Sequence, residues 1–294
     1  MKKKTTVFKE LVLSDKILML PVAHDTLCAK IAEISGFKSI CNAGYANSAT
    51  LLGKPDVSLL SLTEMVDCAS RMVDAVNIPV FADGDTGHGG TNNVIRTVKL
   101  FEKAGVAGLF IEDQVFPKRC GHMSGKQVIP ADEMITKIKA SVDARKDDDF
   151  VIMARTDALA VNGIDDAIER GQRYREAGAD IIFVEAPNTV EQMKRIVTEI
   201  DAPSVANLIP GGHTPLLSIK ELEEIGFAVV AYPTASTYII AKAVKDLFDH
   251  LVKTGSLVEM TPNMIEFELF NKMVGLPEIR ATEEKYHSNL LKIK

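Results

Sequence analysis

The sequence predicts a (β/α)8 TIM-type barrel with a C-terminal helical extension, and three observations lead to this fold class. Short apolar runs recur along the chain, with amphipathic segments between them. The runs are continuously apolar and do not alternate, as in parallel strands that are covered on both faces. Eight such strand–helix units match the repeat number of a (β/α)8 barrel. A doubly wound sheet stays open as the alternative, because periodicity does not show whether a sheet closes.

The predicted strands are short, apolar and followed by polar residues. They are Ile17–Ala23, Ser39–Gly44, Val80–Asp83, Gly108–Asp113, Val151–Thr156, Ile181–Ala186, Ser204–Leu208 and Val229–Pro233. Helical patterns between them include Asn92–Ala104, Asp132–Arg145, Ile164–Ala177 and Val190–Glu199. Gly105 follows the first of these helices, as expected for a C-terminal cap.

The pattern changes after Leu251, where the segment 253–256 interrupts a helix with a glycine and a serine. Two helical runs, Met264–Val274 and Thr282–Lys292, follow without another strand. We therefore divide the chain into a barrel domain, residues 1–254, and a helical extension, residues 255–294. The apolar face of the extension must be buried on its own barrel or on another subunit.

Composition excludes several classes of function. The 294 residues include 34 Lys and Arg against 40 Asp and Glu, a net charge of −6, and no tryptophan. This balance argues against a nucleic-acid partner. No apolar run approaches about 18 residues, and the N-terminus lacks the apolar core of a signal peptide, so neither membrane insertion nor secretion is expected. Four cysteines without paired spacing favour a reducing cytoplasm.

Polar residues follow most of the predicted strands. In a barrel these strand ends meet at one mouth, which carries the active site. Six acids, one arginine and one asparagine converging there would require a cation, and an oxygen-only ligand set suits Mg²⁺ or Mn²⁺ better than Zn²⁺. Capping of the following helix is the alternative for Asp113 and Asp157. The eight residues are Asp83, Asp85, Glu112, Asp113, Arg155, Asp157, Glu185 and Asn207.

A loop after the fourth strand places Cys120 close to Lys118, Arg119 and His122. Neighbouring cations lower the pKa of a thiol, so we expect a lowered pKa for Cys120. The glycines of this loop would allow it to move, as active-site lids do.

Five motifs together resemble the isocitrate lyase and phosphoenolpyruvate mutase superfamily over residues 10–250. The motifs are Lys118-Arg119-Cys120-Gly121-His122, Asp83-Gly84-Asp85-Thr86-Gly87, Glu112-Asp113-Gln114, Ala154-Arg155-Thr156-Asp157 and Gly53-Lys54-Pro55-Asp56. The length is most similar to that of the short bacterial members, which include methylisocitrate lyases, dimethylmalate lyases and oxaloacetate hydrolases.

The resemblance implies a metal site and a set of site residues. It implies Mg²⁺, with Mn²⁺ as a substitute, held partly through water by Asp85 and near Asp83, Asp56 and Glu112. It implies that Cys120 protonates a carbanion and that Arg155 holds a carboxylate. The catalytic set that we predict is Cys120, Tyr45, Glu112, His122, Lys118 and Arg119. The predicted substrate-binding set is Gly44, Tyr45, Arg155, Glu185, Asn207 and Pro233.

The resemblance also implies an assembly and a substrate class. The assembly is a homotetramer, a dimer of dimers whose last helices are swapped between subunits. The substrate is a small branched 2-hydroxy dicarboxylate, cleaved between C2 and C3. The relatives place a tyrosine at the position of Cys41, whereas this chain has Tyr45 four residues later, which makes Tyr45 the candidate base.

The loop after the seventh strand indicates which substrate is preferred. Relatives that bind a third carboxylate carry hydroxyl side chains where this chain has Ile209 and Pro210. Because an unpaired buried charge is costly, this favours 2,3-dimethylmalate, with pyruvate and propionate as products. A methylisocitrate lyase, which forms pyruvate and succinate, and an oxaloacetate hydrolase remain alternatives, although Pro233 offers the hydrolase no donor. A phosphonate-processing enzyme and a catalytically inactive barrel fit the Cys120 loop and the intact acids less well.

Overall fold

The computed structural model describes residues 2–290, with side chains through His287. The chain divides after Thr237 into two compact units. In the described part of the first unit, eight strands alternate with helices. The strands are β1 (Leu18–Pro21), β2 (Ile40–Asn42), β3 (Val80–Asp83), β4 (Gly108–Glu112), β5 (Val151–Thr156), β6 (Ile181–Val184), β7 (Val205–Asn207) and β8 (Val229–Tyr232).

The helices of the first unit lie between and before these strands. They are α1 (Lys4–Val12), α2 (Thr26–Ile34), α3 (Gly44–Asn47), α4 (Leu62–Ala75), α5 (Thr91–Ala104), α6 (Ala131–Ala144), α7 (Ala158–Asn162), α8 (Ile164–Glu176), α9 (Val190–Glu199) and α10 (Ile219–Ile225). A π-helical turn, Ser48–Leu52, follows α3. Two of the helices, α4 and α10, begin with a serine–glutamate capping box, which satisfies backbone N–H groups of the first turn.

The sheet closes into a barrel, as predicted. Strands β2 to β6 form one hydrogen-bonded parallel sheet, and β7, β8 and β1 form the other. Single parallel bridges join the two, Val22 with Cys41 and Ile182 with Ser204. Closure in the order β1 to β8 and back to β1 excludes the doubly wound alternative.

Most predicted strands are longer than the observed ones by one to three residues. The predicted bounds of β3 and β5 are those observed. The other observed strands are shorter than predicted, because apolar residues continue in the sequence beyond the last hydrogen bond between neighbouring strands. Ala186, for example, has a φ of 58°, which is incompatible with a strand. The predicted helix over Val190–Glu199 matches α9.

Aromatic rings fill the amino-terminal end of the barrel. Phe8 of α1 is fully buried and stacks on Phe81, with the ring centroids 5.0 Å apart. Phe110 lies 6.4 Å from Phe81 and 6.3 Å from Phe183. The guanidinium of Arg155 lies 5.3 Å above the Phe183 ring. The aromatic stack thus forms an apolar floor beneath the polar mouth.

Glu112, the last residue of β4, and Asp113, which directly follows it, face opposite sides of the sheet, as neighbouring residues of an extended chain do. Glu112 faces the mouth, while Asp113 lies among the outer helices and is fully buried. Asp113 accepts hydrogen bonds from Thr156, Tyr174 and Arg170 at 2.7, 2.8 and 3.2 Å. Asp113 therefore neither joins the acids of the mouth nor caps the next helix, in contrast to both expectations.

The second unit is helical. It contains the part of α11 (Ala235–Thr254) that follows Thr237, α12 (Phe267–Met273) and α13 (Leu276–Leu290). The predicted run Met264–Val274 corresponds to the shorter α12, and Thr282–Lys292 lies in α13 up to Leu290, beyond which the residues are outside the described part. In the described portion of this unit no side chain is fully buried, and Val252 is 90% exposed. No helix of residues 2–290 is long and apolar enough to span a membrane.

We predict that Asp113→Ala lowers the free energy of unfolding by about 3–5 kcal/mol, because it removes the fully buried carboxylate of the Arg170 guanidinium and leaves that guanidinium only the partly exposed Asp166. Urea unfolding followed by circular dichroism measures this loss. Tyr174→Phe, which removes the hydroxyl that donates to the same carboxylate and accepts weakly from Arg170 but leaves the ion pair in place, is the control and should cost about 1 kcal/mol. Equal losses in the two variants would contradict the ionic role of Asp113.

Candidate active site

A buried ammonium lies among four carboxylates at the carboxyl end of the barrel. Lys118 Nζ lies 2.8 Å from Asp56 Oδ2 and 2.8 Å from Asp85 Oδ1. Burial disfavours the charged lysine, but the fields of Asp85, Glu112, Asp83 and Asp56 outweigh it and raise the pKa of Lys118 well above its usual value. All five side chains are buried. The sequence-predicted metal acids therefore do come together, and the lysine of the Cys120 loop, residues 114–127, supplies their counter-charge.

Backbone geometry brings the acids of β3 to this position. Asp83 accepts hydrogen bonds from the backbone N–H groups of Gly44 and Asp85, both at 2.8 Å. A Cβ at Gly44 would lie 3.1 Å from Asp83 Oδ2 and 3.4 Å from Asp85 Oδ1, so glycine is needed for this approach. Asp85 has a φ of 49°, an uncommon conformation for a side-chain-bearing residue and one that clusters at functional sites.

The guanidinium of Arg155 is surrounded by three carboxylates. It contacts Asp157 through Nε at 2.9 Å and through Nη2 at 3.1 Å. Its Nη1 lies 3.2 Å from Glu112 Oε2, and its Nη2 lies 3.2 Å from Glu185 Oε2. Burial disfavours the charged guanidinium, but Asp157, Glu112 and Glu185 keep the pKa of Arg155 well above its usual value. Arg155 thus connects the ends of strands β4, β5 and β6.

Glu185 is held in its charged form by its neighbours. Burial alone would raise its pKa, but Arg155 and the adjacent imidazole of His122 lower that pKa to about 2. His122 Nε2 lies 3.2 Å from Glu185 Oε1, and His122 Nδ1 accepts a hydrogen bond from the backbone N–H of His213. Asn207 donates to Glu185 at 3.2 Å. Glu185 therefore links the Cys120 loop to the segment after β7.

Cys120 faces the mouth, but its pKa differs from the expectation. Burial raises the pKa of the Cys120 thiol, although the backbone N–H of His122 and the charge of Arg155 act in the opposite direction. The expected lowering is wrong because the flanking cations point elsewhere. Lys118 pairs with acids, and Arg119 donates to the Ser124 carbonyl. Cys120 thus keeps its proton at neutral pH.

Arg119 is placed outside the mouth by its backbone. Its N–H donates to the side-chain oxygen of Gln114 at 3.0 Å, and its carbonyl accepts from the amide nitrogen of the same side chain at 2.8 Å. This clamp directs the guanidinium outward. The structure does not bring Arg119 to the other predicted site residues.

A small cavity lies between Cys120 and Arg155. Eight predicted residues line it: Tyr45, Asp56, Asp83, Cys120, Arg155, Glu185, Asn207 and Pro233. Five others, Gly44, Asp85, Glu112, Lys118 and His122, contact these or support them from behind. The rest of the lining is mostly apolar and consists of Val22, Cys41, Ala43, Phe110, Gly121, Phe183, Ile209, Ala231 and Thr234. Tyr45 lies on α3, directly after β2, and Cys41 lies on β2 itself.

Thr234 was missed by the sequence analysis. Its side chain is 1% exposed, lines the cavity, and has no hydrogen-bond partner for its hydroxyl within residues 2–287. An unpaired buried hydroxyl of this kind is able to bind a ligand. Its position directly after Pro233, at the end of β8, was the signal in the sequence.

The acids of the mouth fit a hard divalent cation, although they do not form a ready-made cage. In the described part of the chain, no group of three or more His, Cys, Asp or Glu side chains has the arrangement of a metal centre. However, Asp85 Oδ1 and both oxygens of Glu112 are buried and accept no well-aligned hydrogen bond, although Lys118 and Arg155 form ion pairs with these two acids. Buried oxygens of this kind are the ligands that Mg²⁺ and Mn²⁺ prefer, often with water in the remaining positions.

Comparison with known proteins identifies the family. The phosphoenolpyruvate phosphomutase family matches residues 8–252. A 2,3-dimethylmalate lyase from Eubacterium barkeri is 48% identical over 95% of this chain and 96% of its own. A chloroplastic carboxyvinyl-carboxyphosphonate phosphorylmutase from Arabidopsis thaliana is 44% identical, over 97% and 85% of the two chains. A 2-methylisocitrate lyase from Halalkalibacterium halodurans is 41% identical, over 85% and 82%.

Solved structures agree with this relationship. An oxaloacetate acetylhydrolase in complex with 3,3-difluorooxalacetate superposes with a TM-score of 0.92 and 32% identity, over 97% of both chains. A phosphonopyruvate hydrolase in complex with oxalate and Mg²⁺ superposes with a TM-score of 0.88 and 30% identity, over 97% of this chain and 99% of the other.

We predict that Gly121→Ala displaces the Cys120 loop, because the added Cβ would collide with Arg155 Nη2 and with the side chain of Glu185. Overpacking of this kind costs about 1–3 kcal/mol, so alkylation of Cys120 by iodoacetamide should accelerate roughly tenfold. Mass spectrometry of the labelled peptide measures the rate. Gly90→Ala is the matched control, since a Cβ there meets no atom within 4 Å. An unchanged rate in Gly121→Ala would show that the loop tolerates the methyl group.

Proposed function

Because the chain belongs to the phosphoenolpyruvate phosphomutase family, we propose that it is a Mg²⁺-dependent carbon–carbon lyase that cleaves 2,3-dimethylmalate to pyruvate and propionate. The wall of the cavity carries this proposal. Arg155 is the only cation among the described residues that line it, and near β7 and β8 the wall presents the apolar Ile209, Ala231 and Pro233 beside the uncharged Asn207 and Thr234. Such a wall accommodates a methyl group. A third carboxylate there would have no cation to pair with, at a cost of several kcal/mol.

Cleavage of the C2–C3 bond needs a base, an anion-binding group and an acid. The substrate hydroxyl on C2 loses its proton, the C2–C3 electron pair moves to C3, and C2 becomes the keto carbon of pyruvate. The carbanion at C3, stabilised as the enolised carboxylate, then takes a proton and leaves as propionate. We assign removal of the hydroxyl proton to Tyr45, which lines the cavity.

Arg155 is the group that we assign to a substrate carboxylate. Its guanidinium borders the cavity, and guanidinium–carboxylate pairs form with two parallel hydrogen bonds. Glu185, which pairs with Arg155, and Asn207 keep this side of the cavity polar, and Glu185 also contacts His122 of the Cys120 loop. Closure of this loop excludes water from the carbanion.

Cys120 is the proposed acid. A thiol whose pKa is raised by burial is protonated at neutral pH, and it is therefore able to give a proton to C3. The reversal of the expected pKa shift fits this role better than a thiolate would, because a thiolate has no proton to donate.

A magnesium ion is proposed at the acids of the mouth. Asp85 would hold it, partly through water, with Asp83, Asp56 and Glu112 nearby, and Mn²⁺ would be a substitute. When bound, such an ion stabilises the negative charge that develops on substrate oxygens. Lys118, which pairs with Asp56 and Asp85, would share these carboxylates with the ion.

We also propose the assembly inferred from the sequence, a homotetramer of helix-swapped dimers, with residues 1–254 as the catalytic domain and residues 255–294 as the extension. The apolar side chains of the second unit support it, since Phe267 is 82% exposed and Val258 is 77% exposed. Apolar surface of this kind is characteristic of protein–protein contacts.

One observation favours a second candidate, the hydrolysis of oxaloacetate to oxalate and acetate. This reaction needs a group that positions water near β8. Pro233 offers no side-chain donor, but the unpaired hydroxyl of Thr234 is beside it. The product analysis below distinguishes this candidate from the lyase.

We expect the purified protein with Mg²⁺ to convert racemic 2,3-dimethylmalate into pyruvate and propionate. Nuclear magnetic resonance identifies the products, and a sample with EDTA is the control that should show no turnover. The same assay is applied to 2-methylisocitrate and to oxaloacetate. Preferential formation of succinate from methylisocitrate, or of oxalate and acetate from oxaloacetate, would overturn the proposed substrate.

Cys120→Ser should lower kcat roughly 100- to 10,000-fold, the usual contribution of a general acid, because a hydroxyl is a much weaker acid than a thiol. Calorimetry should show that the variant still binds the substrate, since Arg155 and the acids are unchanged. Cys68→Ser, at a half-buried position on α4, is the control. Near-normal turnover of Cys120→Ser would remove Cys120 as the acid.

A further inference from the structure

We infer that Lys126 is a positioning residue that couples closure of the Cys120 loop to the carboxylate-binding guanidinium of Arg155, with Asp157 as the connecting side chain. The inference rests on the proposed function, in which Arg155 binds a substrate carboxylate and Cys120 delivers a proton. Neither Lys126 nor Asp157 lines the cavity.

The Lys126 ammonium attaches the loop to the barrel. It donates to Asp157 Oδ1 at 2.8 Å and to the carbonyl oxygen of Gly121. Its side chain is 3% exposed and that of Asp157 is 0% exposed. A lysine at the end of a surface loop would normally extend into water, where its charge is best solvated. Its burial against an aspartate at the end of β5 ties this ion pair to the position in which the loop lies on the mouth.

The same carboxylate holds Arg155. Asp157 Oδ1 accepts both from Lys126 and from Arg155 Nη2, while Asp157 Oδ2 accepts from Arg155 Nε. With Glu112 and Glu185 included, three carboxylates compete for one guanidinium. Lys118 offsets part of the charge of Glu112, but without Lys126 the carboxylates would still more than neutralise Arg155 and weaken its attraction for a substrate carboxylate. Lys126 compensates Asp157 and so leaves more of the charge of Arg155 for the substrate.

The two contacts of Lys126 make this a coupling between loop and guanidinium. Gly121 follows Cys120, and no space remains for a Cβ between it and the side chains of Arg155 and Glu185. By holding the Gly121 carbonyl, Lys126 positions the Cys120 backbone over the cavity. The loop movement that brings Cys120 to the substrate therefore also brings Lys126 to Asp157, where its charge strengthens the attraction of Arg155 for a carboxylate. In an open loop, both Cys120 and Lys126 would be displaced from the site.

A double-mutant cycle with Lys126→Met and Asp157→Asn tests the charge coupling. Lys126→Met should raise KM for the dicarboxylate roughly tenfold or more, because it leaves Asp157 uncompensated beside Arg155, and it should lower kcat less. In the Asp157→Asn background there is no charge to compensate, so adding Lys126→Met should change KM by less than about threefold. Lys126→Arg, which keeps the cation, should restore KM. Lys99→Met, at an exposed position on α5, is the matched control.

Alkylation of Cys120 by iodoacetamide, without substrate, tests the attachment of the loop independently of turnover. Lys126→Met and Asp157→Asn should each accelerate labelling roughly tenfold, because each removes one half of a buried ion pair. Lys126→Arg should reverse the increase. If no substrate is turned over, the proposed function fails, while the labelling rates still decide whether Lys126 and Asp157 hold the loop.

Any of three results would overturn the inference. The first is that Lys126→Met behaves like Lys99→Met in both KM and labelling. The second is that the effects of Lys126→Met and Asp157→Asn on KM add fully in the double variant, since two residues that act through one carboxylate are not additive. The third is faster labelling with an unchanged KM, which would contradict the coupling to Arg155.

Discussion

Compensation of buried charge is the constraint on which this mouth depends. Lys118 lies among the acids of one side, and Arg155 lies among the acids of the other. An isolated carboxylate in such a place would be strongly destabilising, whereas carboxylates that surround a fixed cation persist. Glu112 belongs to both groups, because the charges of Arg155 and Lys118 both act on it. Each cation acts to lower the pKa of Glu112, while burial raises that pKa well above its usual value. The positions of Lys118 and Arg155 therefore determine where acidic side chains from several strands can be buried.

The barrel makes this concentration of charge possible because its other end is apolar. The stacked rings of Phe8, Phe81 and Phe110 fill the amino-terminal half, so the polar residues are confined to one layer. Outside the barrel, Asp113 repeats the same principle with Arg170. Each buried acid thus has a basic or hydrogen-bonding partner, and the site rests on a rigid apolar floor.

The Cys120 loop contributes to this compensation as well as to the chemistry. Lys118 and Lys126 both belong to it, and both end in buried contacts with acids of the barrel. His122 of the same loop lies against Glu185. A loop that supplies three such partners cannot leave the mouth without exposing uncompensated carboxylates. The proposed proton donor, Cys120, and the residues that compensate the buried acids therefore belong to the same loop.

The amino-acid sequence by itself determined the strands, the barrel and the family. Parallel strands covered on both faces must be continuously apolar, and β3 and β5 were predictable to the residue for that reason. Strand ends were less predictable, since they depend on the last ladder hydrogen bond. The motif residues near the mouth, such as Asp83, Cys120 and Arg155, could also be named from the sequence.

Only the tertiary structure decided which charge meets which. Lys118 and Arg119 are adjacent in sequence, yet one is buried between acids and the other reaches the carbonyl of Ser124. Because neither cation contacts the thiol, burial raises the pKa of Cys120, whereas the sequence predicted a lowered pKa. Glu112 and Asp113 face opposite sides of one strand. Charge partners distant in sequence, such as Lys126 and Asp157, meet only after the chain has closed, because side-chain direction and burial are properties of the folded barrel.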